Sequence, residues 1–272
     1  MKEELLSWRL WVGTLGGDTM ATSVGANCVA VAGERGTLVV DPLIAPAHAR
    51  QVQDALERRG FPAVSHVLVT HHHTDHALGA SFFAARGARV VATRPCAAAM
   101  AEQHPGLVAE RRAVPALAAL FADAEPHVPT EIFDDTTQID LGGVVVEILR
   151  VGPAHTPGDA IAWIKEERAF VCGDLVSVGY HFNYEEADPA HLLPALDRIA
   201  TRGDETFIPG HGPSGDVAIV HAQADYHRAV FAARHADEIR ARFPGYLLDG
   251  ALASAPVATK INGPRGPGAP SP

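Results

Sequence analysis

The sequence predicts an α/β fold in which two layers of sheet are flanked by helices. Two observations carry that reading. Short apolar runs alternate with stretches of helical spacing, and they do so in two successive parts of the chain. A cluster of polar, metal-ligating residues also follows the C-terminal end of an apolar strand, where open α/β sheets place their ligand sites. Between residues 8 and 40 the runs RLWVGTL, NCVAVAG and GTLVVD are punctuated by Gly and Thr and read as strands joined by tight turns. Residues 46–60 put Val52, Ala55 and Leu56 at helical spacing and end at Gly60, a suitable C-cap. HVLVTH (66–71) is a short apolar strand of the kind buried on both faces. ALGASFFAARG reads as a helix ending at Gly87, ARVVAT (88–93) as a strand, and the Ala-rich stretch 94–125 as helical. Strands return between 131 and 176 in TEIF, TQIDL, VVVEILRVG, AIAWIKEE and AFVCGDLV. The segment 189–202 reads as helix, TFIPGHG as strand then loop, and 216–243 as one long helix. Residues 1–254 are expected to form one domain. The Pro/Gly-rich tail 255–272 has little to bury and is expected to be disordered.

Composition narrows the function. With 272 residues, 47% of them hydrophobic, the chain can bury a large core. Its net charge is −10, from 32 acidic against 22 basic residues. Such a surface repels phosphate backbones, so nucleic acid is not expected as a partner. No apolar run reaches the roughly 18 residues of a membrane span, so no membrane partner is expected. MKEELLSWRLWVG sets Glu3 and Glu4 where an export signal carries its positive charge and apolar core. Three widely spaced cysteines, Cys28, Cys96 and Cys172, suit a reducing compartment, and a cytoplasmic location is expected.

The chemistry concentrates in THHHTDH, residues 70–76, which fits the frame HxHxDH with His71, His73, Asp75 and His76 as ligands. In an extended segment, residues two apart point the same way, so His71 and His73 can grip one ion while Asp75 and His76 project toward a second. Imidazole nitrogen and carboxylate oxygen suit zinc, iron or manganese. A lone histidine cluster is often only a solvated loop. Here further segments follow in order: PAHTPGD with His155, VCGDLV with Asp174 and FIPGHGP with His211, preceded by LVVDPL with Asp41.

Together these segments resemble the metallo-β-lactamase superfamily over most of the chain. The resemblance implies an αββα four-layer sandwich and a dinuclear site, with two zinc ions per chain expected and iron or manganese as alternatives. It implies that the first metal binds His71, His73 and His155, that the second binds Asp75, His76 and His211, and that Asp174 bridges them. It further implies a hydroxide nucleophile between the ions, with Asp75 as the catalytic residue that orients it, and Asp41 holding a ligand histidine from behind.

Other titratable residues are set aside at this level. His72 should point away from the metals. Asp159 reads as a loop or supporting residue, Cys172 as a core residue, and His221, His227 and His235 as a partly exposed helix face. His48, His66, His104, His127 and His191 have no motif partners. Residues 12–27, rich in Gly and Thr, are a candidate flap over the site. Tyr180, His181 and Tyr184, with Phe182 and Asn183, are candidates for the substrate pocket because they follow Asp174 closely.

Position 174 also separates branches of the family. True β-lactamases usually carry Cys or Ser there, so β-lactam hydrolysis is the weaker expectation. The Asp resembles glyoxalase II, lactonases and related ester or thioester hydrolases, although little more than one long helix follows His211 where glyoxalase II holds its glutathione. The expected function is hydrolysis of an ester, thioester, lactone or lactam of a small molecule. The runner-up is a mononuclear iron dioxygenase resembling persulfide dioxygenases, which share HxHxDH. The long last helix and the apolar segment 106–122 could pack against a second copy, so a homodimer is an open expectation.

Overall fold

The structure, a computed structural model, describes residues 1–203 and 205–257. The first sheet is built from β1 (Lys2–Leu5), β2 (Leu10–Thr14), β3 (Asn27–Gly33), β4 (Gly36–Val40), β5 (Val64–Leu68), β6 (Arg89–Thr93) and β7 (Glu131–Phe133), in that spatial order. Its first four strands run antiparallel, and β4 to β7 run parallel. The parallel part is crossed over by α1 (Pro46–Arg58), by the short helices α2 (Thr74–Ala77) and α3 (Ala80–Ala84), and by α4 (Arg94–Ala113) with α5 (Pro115–Phe121). The second sheet holds β8 (Thr136–Asp140), β9 (Val145–Arg150), β10 (Ala160–Ile164), β11 (Ala169–Val171) and β12 (Thr206–Ile208). Helices α6 (Pro189–Ala200), α7 (Val217–Ala232) and α8 (Ala236–Arg242) complete the chain order.

Strand alternation explains the four layers. In β3, Val29 and Val31 enter the core between the two sheets, while Cys28 and Ala30 face α1, α3 and α4. β4 repeats the pattern with Leu38 and Val40 inward and Val39 outward. On the second sheet Ala160, Ala162 and Ile164 face the first sheet, and Ile161 faces α6 and α7; Phe170 and Phe207 do the same from β11 and β12. The inner strands β3, β4, β10 and β11 are therefore apolar on both faces, as their uninterrupted apolar runs require. This is the αββα sandwich expected from the motif resemblance. Each fully buried side chain of the size of Leu56, Leu68 or Phe83 contributes about 1.5–3 kcal/mol by leaving water.

Three sequence expectations are corrected, and one element is new. The stretch 216–243 is two helices, not one: Ala233 and His235 take extended backbone angles between α7 and α8, with neither Gly nor Pro to announce the break. His227 does not lie on a partly exposed face; it is fully buried, its Nδ1 2.6 Å from the Tyr184 hydroxyl and its Nε2 3.1 Å from Gln223. The tail expectation also begins too early. Ala255 and Val257 are buried against the α6/α7 core, and the remainder, 258–272, lies outside the described residues. Finally, the acidic edge strand β1 was not anticipated. Its exposed charges blunt the open edge of the first sheet, and Glu3 accepts a hydrogen bond from Trp11.

Thr93 joins α4 to the loop that follows β9. Its hydroxyl accepts from the Cys96 amide (3.2 Å) as the N-cap and donates to the Gly158 carbonyl (2.7 Å). Thr93→Val keeps the shape and removes both bonds. The expected cost is about 2 kcal/mol in denaturant unfolding; a change below the measurement error would show that neither bond matters.

Candidate metal centre

The polar loops leave the C-terminal ends of β4, β5, β9, β11 and β12 and converge. Beyond β5 the chain bends at Thr70, His71 and His72, straightens at His73 and then enters α2, which carries Asp75 and His76. His155 sits in the β9–β10 loop. Asp174 follows β11 in a single 3-10 turn, and His211 follows β12. Two glycines make the approach of these loops feasible. A Cβ at Gly210 would collide with Asp174 Oδ1, and Gly173 has φ +51° with Thr70 packed against its Cα.

All seven residues expected as ligands fall into two clusters. His71, His73, His155 and Asp174 bring their ligand atoms together in one, and Asp75, His76 and His211 in the other. In the first, His155 Nε2 lies 3.0 Å from His73 Nδ1 and 3.6 Å from Asp174 Oδ2, with His71 Nε2 4.0 Å from the same oxygen. In the second, His76 Nε2 and His211 Nε2 are 3.3 Å apart, and each is 3.4 Å from Asp75 Oδ2. Asp174 also reaches the second cluster, with Oδ1 3.2 Å from His76 and Oδ2 3.3 Å from His211.

The donors fit cations. Four ligand atoms about 2.0–2.1 Å from a tetrahedral centre stand roughly 3.3 Å from one another, and the spacings above bracket that value. His71 Nε2 and Asp174 Oδ1 are buried without a hydrogen-bond partner among the described residues, an arrangement that costs free energy unless something else binds them. Charge states agree. Burial, helped by neighbouring imidazoles, holds His71 far below its ordinary pKa and brings His155 down to about 3, so both are neutral bases. Asp75 and Asp174 stay ionised: burial pushes their pKa values up, but His76 and His211 pull them well below the carboxylate range. Burial pushes His76 and His211 down in turn, yet the two carboxylates raise both, His211 to about 9. The pocket of carboxylates thus attracts positive charge strongly, which protons supply when no metal does.

Behind the ligands is a set of supporting contacts. Asp41, at φ +57°, accepts from the Thr70 amide (2.8 Å), the Thr70 hydroxyl (2.7 Å) and His76 Nδ1 (2.9 Å), which leaves His76 Nε2 for the centre. Asp159 accepts from Ala154 N, Thr156 N and the Thr156 hydroxyl, closing the loop that carries His155. Ser23, in the 3-10 turn Met20–Gly25, donates to the Asp75 carbonyl (3.1 Å).

Sequence reasoning missed four contributors. Glu186 accepts from His73 Nε2 (3.2 Å) and Gln103 Nε2 (3.2 Å), and its carboxylate lies 2.8 Å from His72 Nε2. His104 Nε2 donates to the His72 carbonyl (2.7 Å) and steadies the ligand loop. Arg111 donates to Thr74 (2.7 Å). All lie far from the motif in sequence and match no pattern. His72 joins neither of the two ligand clusters, but it turns toward Glu186 and lines the cavity.

A cavity of about 1010 Å³ opens over the two clusters. Tyr180 and His181 line it, together with Phe182 and Asn183. Tyr184 does not: it is turned into the helical core toward His227. From the segment 12–27, Met20 and Val24 face the cavity, and Gly17 accepts a hydrogen bond from the Tyr180 hydroxyl (2.9 Å).

Comparison with known proteins agrees with this geometry. The family model described as the metallo-beta-lactamase superfamily matches residues 21–211. A hydroxyacylglutathione hydrolase of Acidiphilium cryptum is 32% identical over 74% of this chain and 71% of its own length. One from Methylococcus capsulatus is 31% identical over 65% of this chain, which spans only 57% of that relative. Among solved structures, a metallo-beta-lactamase from Pontibacter korlensis superposes with a TM-score of 0.69 at 19% identity, covering 84% of this chain and 98% of its own.

Proposed function

Because the chain belongs to the metallo-β-lactamase superfamily, we propose that it is a dinuclear metal-dependent hydrolase of a small-molecule ester, thioester, lactone or lactam, with thioesters first. One observation carries this reading: two ligand clusters that share Asp174 at the floor of a single cavity. The names of the hydroxyacylglutathione hydrolases it resembles support the thioester preference.

His71, His73 and His155 would hold one cation, Asp75, His76 and His211 the other, and Asp174 both. When bound, such cations generate a nucleophile from water at neutral pH and polarise a substrate carbonyl. The chain's own residues do the rest. Asp75, ionised and lining the cavity, orients the attacking water and takes up its proton. Tyr180 and His181 border the place a leaving group occupies, the Tyr180 hydroxyl being fixed by Gly17 and the His181 ring by Tyr226.

Elemental analysis of protein purified without added metal, beside a panel of thioesters, lactones and β-lactams, tests the proposal. About two zinc per chain, thioester turnover, and loss of that turnover on chelation without global unfolding are the expected results. One iron with oxygen uptake on a persulfide would overturn it. No helix among the described residues is long and apolar enough to cross a membrane.

A further inference from the structure

Arg111 is a cation whose setting the hydrolytic reading does not use. It projects from the last turns of α4 into the wall of the same cavity. Nη2 donates to Thr74 Oγ1 at 2.7 Å, and the guanidinium carbon lies 5.2 Å from the centre of the Phe121 ring, so the group is held in place. Nη1 is buried and has no hydrogen-bond partner among the described residues. Met20, Val24, Ile44 and Leu107 line the same cavity, and Met20, Val24 and Ile44 pack in one apolar cluster with Phe121. Of the acids that share the cavity, Asp75 and Asp174 sit beside His76 and His211 and Glu186 beside His72 and His73, while Glu185 is exposed at its rim. Burial accordingly pushes the Arg111 pKa down from its ordinary value, with Asp75 opposing from a distance. A guanidinium fixed against an apolar wall, with donors left over, is costly in isolation and suited to an oxyanion.

We infer that Arg111 binds a carboxylate on the substrate, so that the substrates are acyl compounds with a carboxylate separated by a short apolar body from the scissile carbonyl. This rests on the hydrolytic reading for the second half only. The carbonyl end lies over the two ligand clusters, the apolar body against Val24, Ile44 and Leu107, and the carboxylate on the part of the Arg111 guanidinium that faces the cavity. Thr74, between the ligands His73 and Asp75, joins the two ends of the pocket through its bond to Nη2.

A matched pair of thioesters of one thiol, succinyl and butanoyl, differs in little but the carboxylate. Wild-type enzyme is expected to favour the succinyl compound in kcat/KM by about 10- to 100-fold, mainly through KM. Arg111→Met should erase that preference by lowering succinyl hydrolysis far more than butanoyl hydrolysis, and Arg111→Lys should restore part of it. A purely structural role, acting through Thr74 on the metal ligands, would depress both substrates together and would overturn the inference, as would equal turnover of the pair by wild type. Calorimetry with the matching thioethers, which carry a CH2 in place of the carbonyl and cannot be hydrolysed, separates the two readings. Carboxylate-dependent binding that Arg111→Met abolishes, in a protein that hydrolyses no ester, thioester, lactone or lactam, sustains the Arg111 site and refutes the hydrolase. Hydrolysis without carboxylate-dependent binding does the reverse.

Discussion

Asp174→Ala is expected to lower kcat/KM on a thioester substrate by about 10³-fold or more, while far-UV circular dichroism stays that of the wild type. The carboxylate stands between the two clusters, with Oδ1 3.2 Å from His76 and Oδ2 3.3 Å from His211 and 3.6 Å from His155. Its loss would remove a ligand from both of the proposed cation sites at once, and an interaction worth several kcal/mol in the transition state corresponds to three decades in rate. The fold should survive because the side chain belongs to no apolar cluster; the sheets are held by the cores on either side of them. Bound metal per chain should fall in parallel. Asp174→Asn, nearly isosteric, keeps the loop packing against Gly210 but not the charge. It should therefore resemble Ala in activity and wild type in thermal stability. Activity within a few-fold of wild type in both variants would exclude a shared bridging carboxylate and leave at most one working cation.

The sequence makes the strands and ligands legible for the same physical reason. A sheet buried on both faces forces continuous apolar runs, so NCVAVAG and HVLVTH announce their strands directly, and the residues just past a strand end are the ones free to be polar. His71, His73, Asp75, His76, His155, Asp174 and His211 stand in such places, and their donor chemistry singles them out from other loop residues. What stays hidden depends on contacts between distant segments. Glu186 meets His73 across 113 positions, and Arg111 meets Thr74 across 37, with no local pattern to mark either. Tyr184 follows the bridging loop as closely as Tyr180 does, yet a hydrogen bond to His227 on α7 draws it into the core. The break between α7 and α8 falls at Ala233 and His235, residues with no intrinsic preference for ending a helix; burial of Ala233 and Ile239 against the same core accounts for the change of direction. The 3-10 turn Met20–Gly25 is hidden similarly, because its place is set by Ser23 bonding both Asp75 and Ile44.

Asp41 offers the second large effect, and it separates support from ligation. The residue is buried, and its two oxygens take three hydrogen bonds, two from Thr70 and one from His76 Nδ1. Asp41→Ala leaves the Thr70 amide without its acceptor and frees the His76 ring to rotate or to change tautomer. Metal affinity is expected to fall about 10- to 100-fold in competition with a chromophoric chelator, and the metal-free protein should lose about 2–3 kcal/mol in denaturant unfolding. The Asn variant is the sharper test. Asn tolerates the left-handed backbone at φ +57° and its carbonyl can still accept from the Thr70 amide, so most of the stability should return. Its amide nitrogen, however, cannot accept from His76 Nδ1. If Asp41 acts by fixing the His76 tautomer, Asp41→Asn recovers stability but not metal affinity. If both recover together, the carboxylate is only packing material, and the orientation of His76 must come from Asp174 and His211 alone.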